Sequence, residues 1–288
     1  MTKKYACFGL KEGSQLFTSF RYPAGEMQLR LTDAGLAMAK DADEIDVIAR
    51  IKTDEDIVSL AHLKSALDGA NPVGAKNLRL AYLPYARADR RFLDGDCWGL
   101  GVFATLLNAM NFSTVFTLDT HSAVSSKLVN NLVNVLPVQY IRRAITRFSL
   151  LHGAKHLTIL YPDEGARHRY GLPLQIGNNV GVVHLHEKYC TKKRDPVTGK
   201  LSGFEVPDLD SKYAMIVDDL CDGGGTFLGI ADALDSSTKD YLGLYVTHGI
   251  FSQGVDRLLE KFSNIYTTNS FREDLGPKVV VFDSYDFV

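Results

Sequence analysis

The sequence predicts an α/β fold with mainly parallel sheets, arranged as two medium-sized domains. Short β-branched or aromatic runs alternate with segments of helical period, the pattern of repeated strand–helix–strand units. Several of these runs end in polar or acidic residues, as strands do where an open parallel sheet presents its ligand site. A chain of 288 residues, 45% hydrophobic and 23% charged, is long enough for two cores rather than one.

In chain order, the predicted strands cover 45–51, 78–83, 115–119, 157–161, 180–185, 215–217, 242–247 and 279–282. Between them, Ile57, Leu60, Ala61 and Leu67, with Lys64 on the same stripe, recur at helix spacing, as do Leu100, Phe103, Ala104 and Leu107. Those stripes are core-facing helix surfaces. The stretch from Pro137 to His152 links the halves. A boundary near residue 143 within it gives domains of 1–143 and 144–288, with the site expected between them.

A formal net charge of -2 gives no global attraction to nucleic acid or anionic membrane, so small-molecule partners are expected. Cys7, Cys97, Cys190 and Cys221 form no CxxC pair, which fits neither a zinc knuckle nor a disulfide framework and points to a reducing cytoplasm. The apolar stretch Tyr5 to Leu10 is too short for a signal peptide, and no run reaches membrane-spanning length.

The most informative segment runs from Tyr213-Ala214-Met215-Ile216-Val217 into Asp218-Asp219-Leu220-Cys221-Asp222-Gly223-Gly224-Gly225-Thr226-Phe227. A strand ending in two carboxylates offers acceptors to a vicinal diol. A glycine-rich turn entering a helix offers backbone N–H groups and a positive dipole end to a phosphate. Together they suit a ribose 5-phosphate. Three arginines, Arg87, Arg90 and Arg91, follow another strand in Tyr85-Ala86-Arg87-Ala88-Asp89-Arg90-Arg91, where they could clamp a polyphosphate or simply be solvated. His121, in Asp119-Thr120-His121-Ser122, and Asp163 stand at strand ends and could hold a hydrated magnesium that also takes phosphate oxygens. His184 and His186 lie two apart on one strand face, a pattern without a third ligand and therefore read as structural.

With the 218–227 loop, these segments, together with Arg21-Tyr22-Pro23-Ala24-Gly25-Glu26, Pro162-Asp163 and Thr247-His248-Gly249-Ile250-Phe251-Ser252, resemble the ribose-phosphate pyrophosphokinase (PRPP synthetase) family in order and over nearly the whole chain. The resemblance implies two phosphoribosyltransferase-like domains, magnesium dependence and a homo-oligomer, dimer or hexamer. It implies transfer of the β,γ-pyrophosphoryl group of ATP to ribose 5-phosphate, giving PRPP and AMP for nucleotide biosynthesis. By the same resemblance Asp218, Asp219, Asp222, Gly223, Gly224, Gly225 and Thr226 hold the ribose phosphate, and His121 and Asp163 bind magnesium. Tyr22, Glu26, Arg87, Asp89, Arg90 and His121 fall on the ATP side, the first two reaching a neighbouring subunit's nucleotide. The family's Lys-x-Arg loop matches Lys192-Lys193-Arg194, with Lys188 as the competing catalytic lysine. Asp195-Pro196 and Thr198-Gly199 punctuation makes the following segment a turn.

Three features depart from the family. Ala24 and Ala88 stand where Asp and Gln are usual, near the nucleotide, and Val288 follows the last strand without the usual terminal helix, which bears on the oligomer and its phosphate/ADP regulation. Gly223 stands where the family has Thr, which predicts a roomier phosphate pocket. Viral members of the family pyrophosphorylate ADP-ribose to regenerate NAD, so a shortened, viral-type enzyme with that larger acceptor is the second expectation. A phosphoribosyltransferase, a non-catalytic PRPP-synthetase-associated regulator and a nucleotide-binding module are the alternatives.

Overall fold

The computed structural model describes residues 3–10, 14–91, 93–175, 184–194, 201–234 and 241–284. The chain divides into two compact units, one ending at Leu136 and the other running from Pro137 to Ser284.

The first unit contains β1 (Tyr5–Gly9), β2 (Phe17–Arg21), β3 (Met27–Leu31), α1 (Asp33–Asp41), β4 (Glu44–Ala49), α2 (Asp54–Ala70), β5 (Ala75–Leu80), α3 (Gly99–Ala109), β6 (Thr114–Leu118), α4 (Val124–Leu128) and β7 (Leu132–Val135). Its main sheet is parallel in the order β1-β4-β5-β6-β7. Phe8, Ile45, Val47, Leu78 and Leu80 are fully buried between its helices. Helix α2 begins where the sequence says it should: the Thr53 hydroxyl accepts from Asp56 N–H and the Asp56 carboxylate accepts from Thr53 N–H, a reciprocal cap with three acidic residues in the first turn. Strands β2 and β3 form a separate antiparallel hairpin.

The second unit contains α5 (Val138–His152), β8 (His156–Tyr161), α6 (Glu164–Gln175), β9 (His184–Tyr189), β10 (Thr191–Arg194), β11 (Leu201–Glu205), β12 (Ala214–Cys221), α7 (Gly225–Ala233), β13 (Leu242–Gly249), α8 (Asp256–Leu259), β14 (Asn264–Thr268) and β15 (Val279–Phe282). Six strands form a parallel sheet in the order β15-β14-β13-β12-β8-β9. All eight residues of β13 are buried, which is why these strands read as continuous apolar runs rather than alternating ones. Strands β10 and β11 form an antiparallel hairpin.

One expectation is corrected. The stretch 137–152, read as a link, is mostly helix α5. Tyr140, Ile141, Ala144, Ile145 and Phe148 are buried on one stripe, and Gly153 ends the helix at φ 66°. The strand expected over 180–185 begins, among the described residues, at His184 and runs to Tyr189; residues 180–183 lie outside the described residues. Residue 143 falls within α5.

Candidate functional site

Strand β12 is paired on both sides, by β8 and β13, and carries Asp218 and Asp219 towards its C-terminal end. Asp218 Oδ1 accepts the Asp219 N–H at 2.9 Å. Asp219 is buried, and its Oδ2 lies 3.2 Å from Arg169 Nη1 on α6. Burial, reinforced by the Asp219 charge and more weakly by Asp163, pushes the Asp218 carboxyl well above the usual carboxylate range. Such a group gains most when diol hydroxyls or a cation arrive to favour its charged form.

The chain then turns through Asp222 and Gly223 to Gly224, which sits at φ 81° and precedes α7. A Cβ there would meet Leu258 Cδ2 at 3.2 Å, a tight contact with a movable side chain, so it is the left-handed backbone that favours glycine. Helix α7 has no side-chain N-cap, and its first-turn N–H groups and dipole suit an anion. Gly223 differs from Gly224: a Cβ on it would meet only Gln253 Cγ, at an ordinary 3.7 Å. The segment after β13 braces the turn. Ile250 and Phe251 donate their N–H groups to Cys221 O at 2.9 and 3.0 Å, and Ser252 donates to Asp222 O at 3.2 Å.

Asp163 follows β8 and caps α6, its Oδ1 accepting the Ala166 N–H at 3.0 Å. Its charge reaches both Asp218 and Cys190. Burial, chiefly, pushes the Cys190 and Cys221 thiols up to about 12, so neither is a thiolate nucleophile at neutral pH.

In the first unit, the loop after β5 gathers a second group. Arg90 grips the buried Asp89 with Nε at 2.8 Å and Nη2 at 3.1 Å. That contact holds the Asp89 carboxyl below its usual range, with the Ser122 hydroxyl and the His121 charge acting in the same direction. Trp98 Nε1 donates to Asp89 O at 2.9 Å. Arg87 and His121 are exposed, while Tyr85, at φ 60°, donates its hydroxyl to Asp54 at 2.6 Å. Tyr22 and Glu26 stand exposed at the β2–β3 turn, where Tyr22 N–H donates to Glu26 O at 2.8 Å.

Lys188, on β9, lies 3.2 Å from Asp210 Oδ2. Lys192 and Arg194 belong to β10, whose register places Lys192 opposite Phe204 and Arg194 opposite Leu201 across a bulge; residues 195–200 lie outside the described residues. His184 and His186 stack on His156 at 5.1 and 5.6 Å between ring centroids. Among the described residues no group of three or more His, Cys, Asp or Glu is arranged to hold a metal. His121 belongs to the first unit and Asp163 to the second.

No family model matches the chain. The ribose-phosphate pyrophosphokinase of Mycoplasmopsis pulmonis is 28% identical over 181 residues, 62% of this chain and 54% of that protein. The ribose-phosphate pyrophosphokinase of Thermococcus kodakarensis is 27% identical over 256 residues, covering 87% of this chain and 84% of that one. The chain is related to the ribose-phosphate pyrophosphokinases. Alignments with the first three of these pyrophosphokinases cover 54 to 66% of their length. The crystal structure of phosphoribosylpyrophosphate synthetase from Mycobacterium smegmatis shares the fold, at 18% identity, with a TM-score of 0.71 over 98% of this chain and 95% of that one. Among the described residues no helix is long and apolar enough to cross a membrane.

Sequence reasoning missed Arg169, whose guanidinium pairs with Asp219. Nothing in the sequence singles it out, since it is one of three consecutive basic residues, Arg167, His168 and Arg169, on α6.

Proposed function

We propose that the protein is a ribose-phosphate pyrophosphokinase, converting ATP and ribose 5-phosphate to PRPP and AMP. The observation that carries this reading is the continuity of β12, the Gly224 turn and α7: a carboxylate pair for a diol runs directly into an uncapped helix start for a phosphate. Relatives of that name, aligned over most of the chain, supply the rest.

Asp218, Asp219 and Asp222 take the ribose hydroxyls, and Gly223, Gly224, Gly225 and Thr226 take the 5-phosphate. Arg87, with Asp89, Arg90 and His121, serves the nucleotide. Arg90 is committed to Asp89, so its part is to shape the loop that presents Arg87. Tyr22 and Glu26 serve a neighbouring subunit's nucleotide in a homo-oligomer, dimer or hexamer. The unit ending at Leu136 serves as the ATP side and the unit from Pro137 to Ser284 as the ribose-phosphate side.

The anomeric hydroxyl attacks the β-phosphorus, the bond between that phosphorus and the oxygen bridging to the α-phosphorus breaks, and AMP leaves with the bonding electrons. Catalysis here is alignment plus neutralisation of phosphate charge, and no protein nucleophile is required. Lys192 and Arg194 supply that charge, with Lys188 the competing lysine; its partner Asp210 would have to release it. Asp163 and the crowded Asp218 offer oxygen donors that fit magnesium, which would complete its shell with water and phosphate oxygens. Held there, it would neutralise the polyphosphate.

The room beside Gly223 supports a second acceptor, ADP-ribose, whose pyrophosphate extends past the 5-phosphate position. Incubation with ATP, magnesium and each acceptor separately, with products identified by mass spectrometry, tests both. A phosphoribosyltransferase would instead consume PRPP and release pyrophosphate. A non-catalytic regulator or nucleotide-binding module would turn over nothing.

A further inference from the structure

A second cleft lies wholly within the C-terminal unit, about 740 Å³ in volume and lined by Arg147, Leu150 and Leu151 of α5 together with Phe262, Tyr266 and Lys278. That volume is ordinary for a small-molecule site. Leu150 and Leu151 are 78% and 63% exposed, an apolar mouth continued by Val280 and Leu259. Arg147 follows the same helical stripe one turn earlier, and no carboxylate is among the described residues that line the cleft.

The floor carries an independent observation. Tyr266 on β14 is fully buried, yet its hydroxyl has no hydrogen-bond partner. Burial pushes the phenol up to about 12 while the nearby Arg147 charge pulls the other way. A buried polar atom without a partner is costly and uncommon. Here its residue, Tyr266, is among those lining a cleft whose rim is cationic and whose walls are apolar.

We propose that this cleft binds a small molecule joining an aromatic-sized apolar body to one anionic group. The body lies against Leu150, Leu151 and Phe262, the anion meets Arg147 and Lys278, and the Tyr266 hydroxyl gains its missing partner. The site is independent of the Gly224 turn.

Calorimetric titration of the full chain with naphthyl phosphate tests this, with inorganic phosphate and naphthol as its separate halves. Each half should bind at least about 10-fold more weakly than the whole. Tyr266→Phe should weaken naphthyl phosphate about 3- to 10-fold and Arg147→Gln about 10-fold, as expected for losing one neutral and one charged hydrogen bond. Gly224→Ala, at the other phosphate-binding feature, should leave this binding unchanged. Tyr266→Phe should melt no lower than the parent, since it removes an orphaned hydroxyl. Equal binding by the Tyr266 and Arg147 variants, loss of binding in Gly224→Ala, or a lower melting temperature for Tyr266→Phe would each overturn the proposal.

Discussion

Arg169 on α6 and Asp219 on β12 form an ion pair at 3.2 Å, with side chains 23% and 7% exposed. The pair anchors the inner carboxylate of the acidic strand end, leaving Asp218 to meet a ligand. Removing the guanidinium strands a buried negative charge beside a second carboxylate. Arg169→Met should therefore destabilise the protein by about 1–3 kcal/mol in urea unfolding. Adding Asp219→Asn should restore much of that loss, giving a measurable coupling energy.

Asp218 carries a stability cost that depends on pH. Its folded-state carboxyl titrates above the unfolded one, chiefly through burial, so between those two values the folded protein binds more protons. Stability contributed by the protonated form is complete below the ordinary carboxylate range and lost as pH rises through the raised value. Asp218→Asn should remove this dependence and stabilise the ligand-free protein by about 0.5–2 kcal/mol at neutral pH, while weakening ribose 5-phosphate binding. Melting curves from acidic to neutral pH should show the gap between variant and parent widening as pH rises.

Gly223 has room for a side chain, whereas Gly224 is held at φ 81°, where a side chain is strained. Gly223→Thr adds a hydroxyl where a Cβ finds only an ordinary contact with Gln253. It should fold normally and bind ribose 5-phosphate about 3- to 10-fold more tightly through one added hydrogen bond, and any use of ADP-ribose should fall. Gly224→Ala, forced to φ 81° against Leu258, should cost about 1–2 kcal/mol and weaken both acceptors. Paired KM measurements separate the two outcomes.

Lys192→Ala should abolish turnover while leaving ATP binding measurable by equilibrium titration. Lys188→Ala breaks a partly exposed pair with Asp210 and should change stability by no more than about 1 kcal/mol. If Lys188→Ala stops turnover and Lys192→Ala does not, the catalytic lysine is Lys188.

The β12–turn–α7 cradle was legible because its parts are contiguous: an apolar run, two carboxylates and three glycines occur in chain order, and each has a local cause. Arg169 was not, since only helix phase and packing against β12 choose it over Arg167 and His168. Helix α5 is hard to tell from a link in the sequence because its N-cap, Pro137, supplies no side-chain cap, although its buried residues keep helical spacing. The partnership of Lys188 with Asp210, 22 positions apart in the numbering, likewise depends on tertiary placement. The grouping of Asp89, Arg90, Ser122 and His121 joins two strand ends whose adjacency follows from the β5–β6 pairing, which periodicity alone does not specify.

The most direct measurement is the product balance of the purified protein with ATP, magnesium and ribose 5-phosphate, followed by mass spectrometry. AMP and PRPP should form in equal amounts, and both should be lost in Lys192→Ala. Formation of ADP with a singly phosphorylated product, or no transfer to ribose 5-phosphate or ADP-ribose, would contradict it.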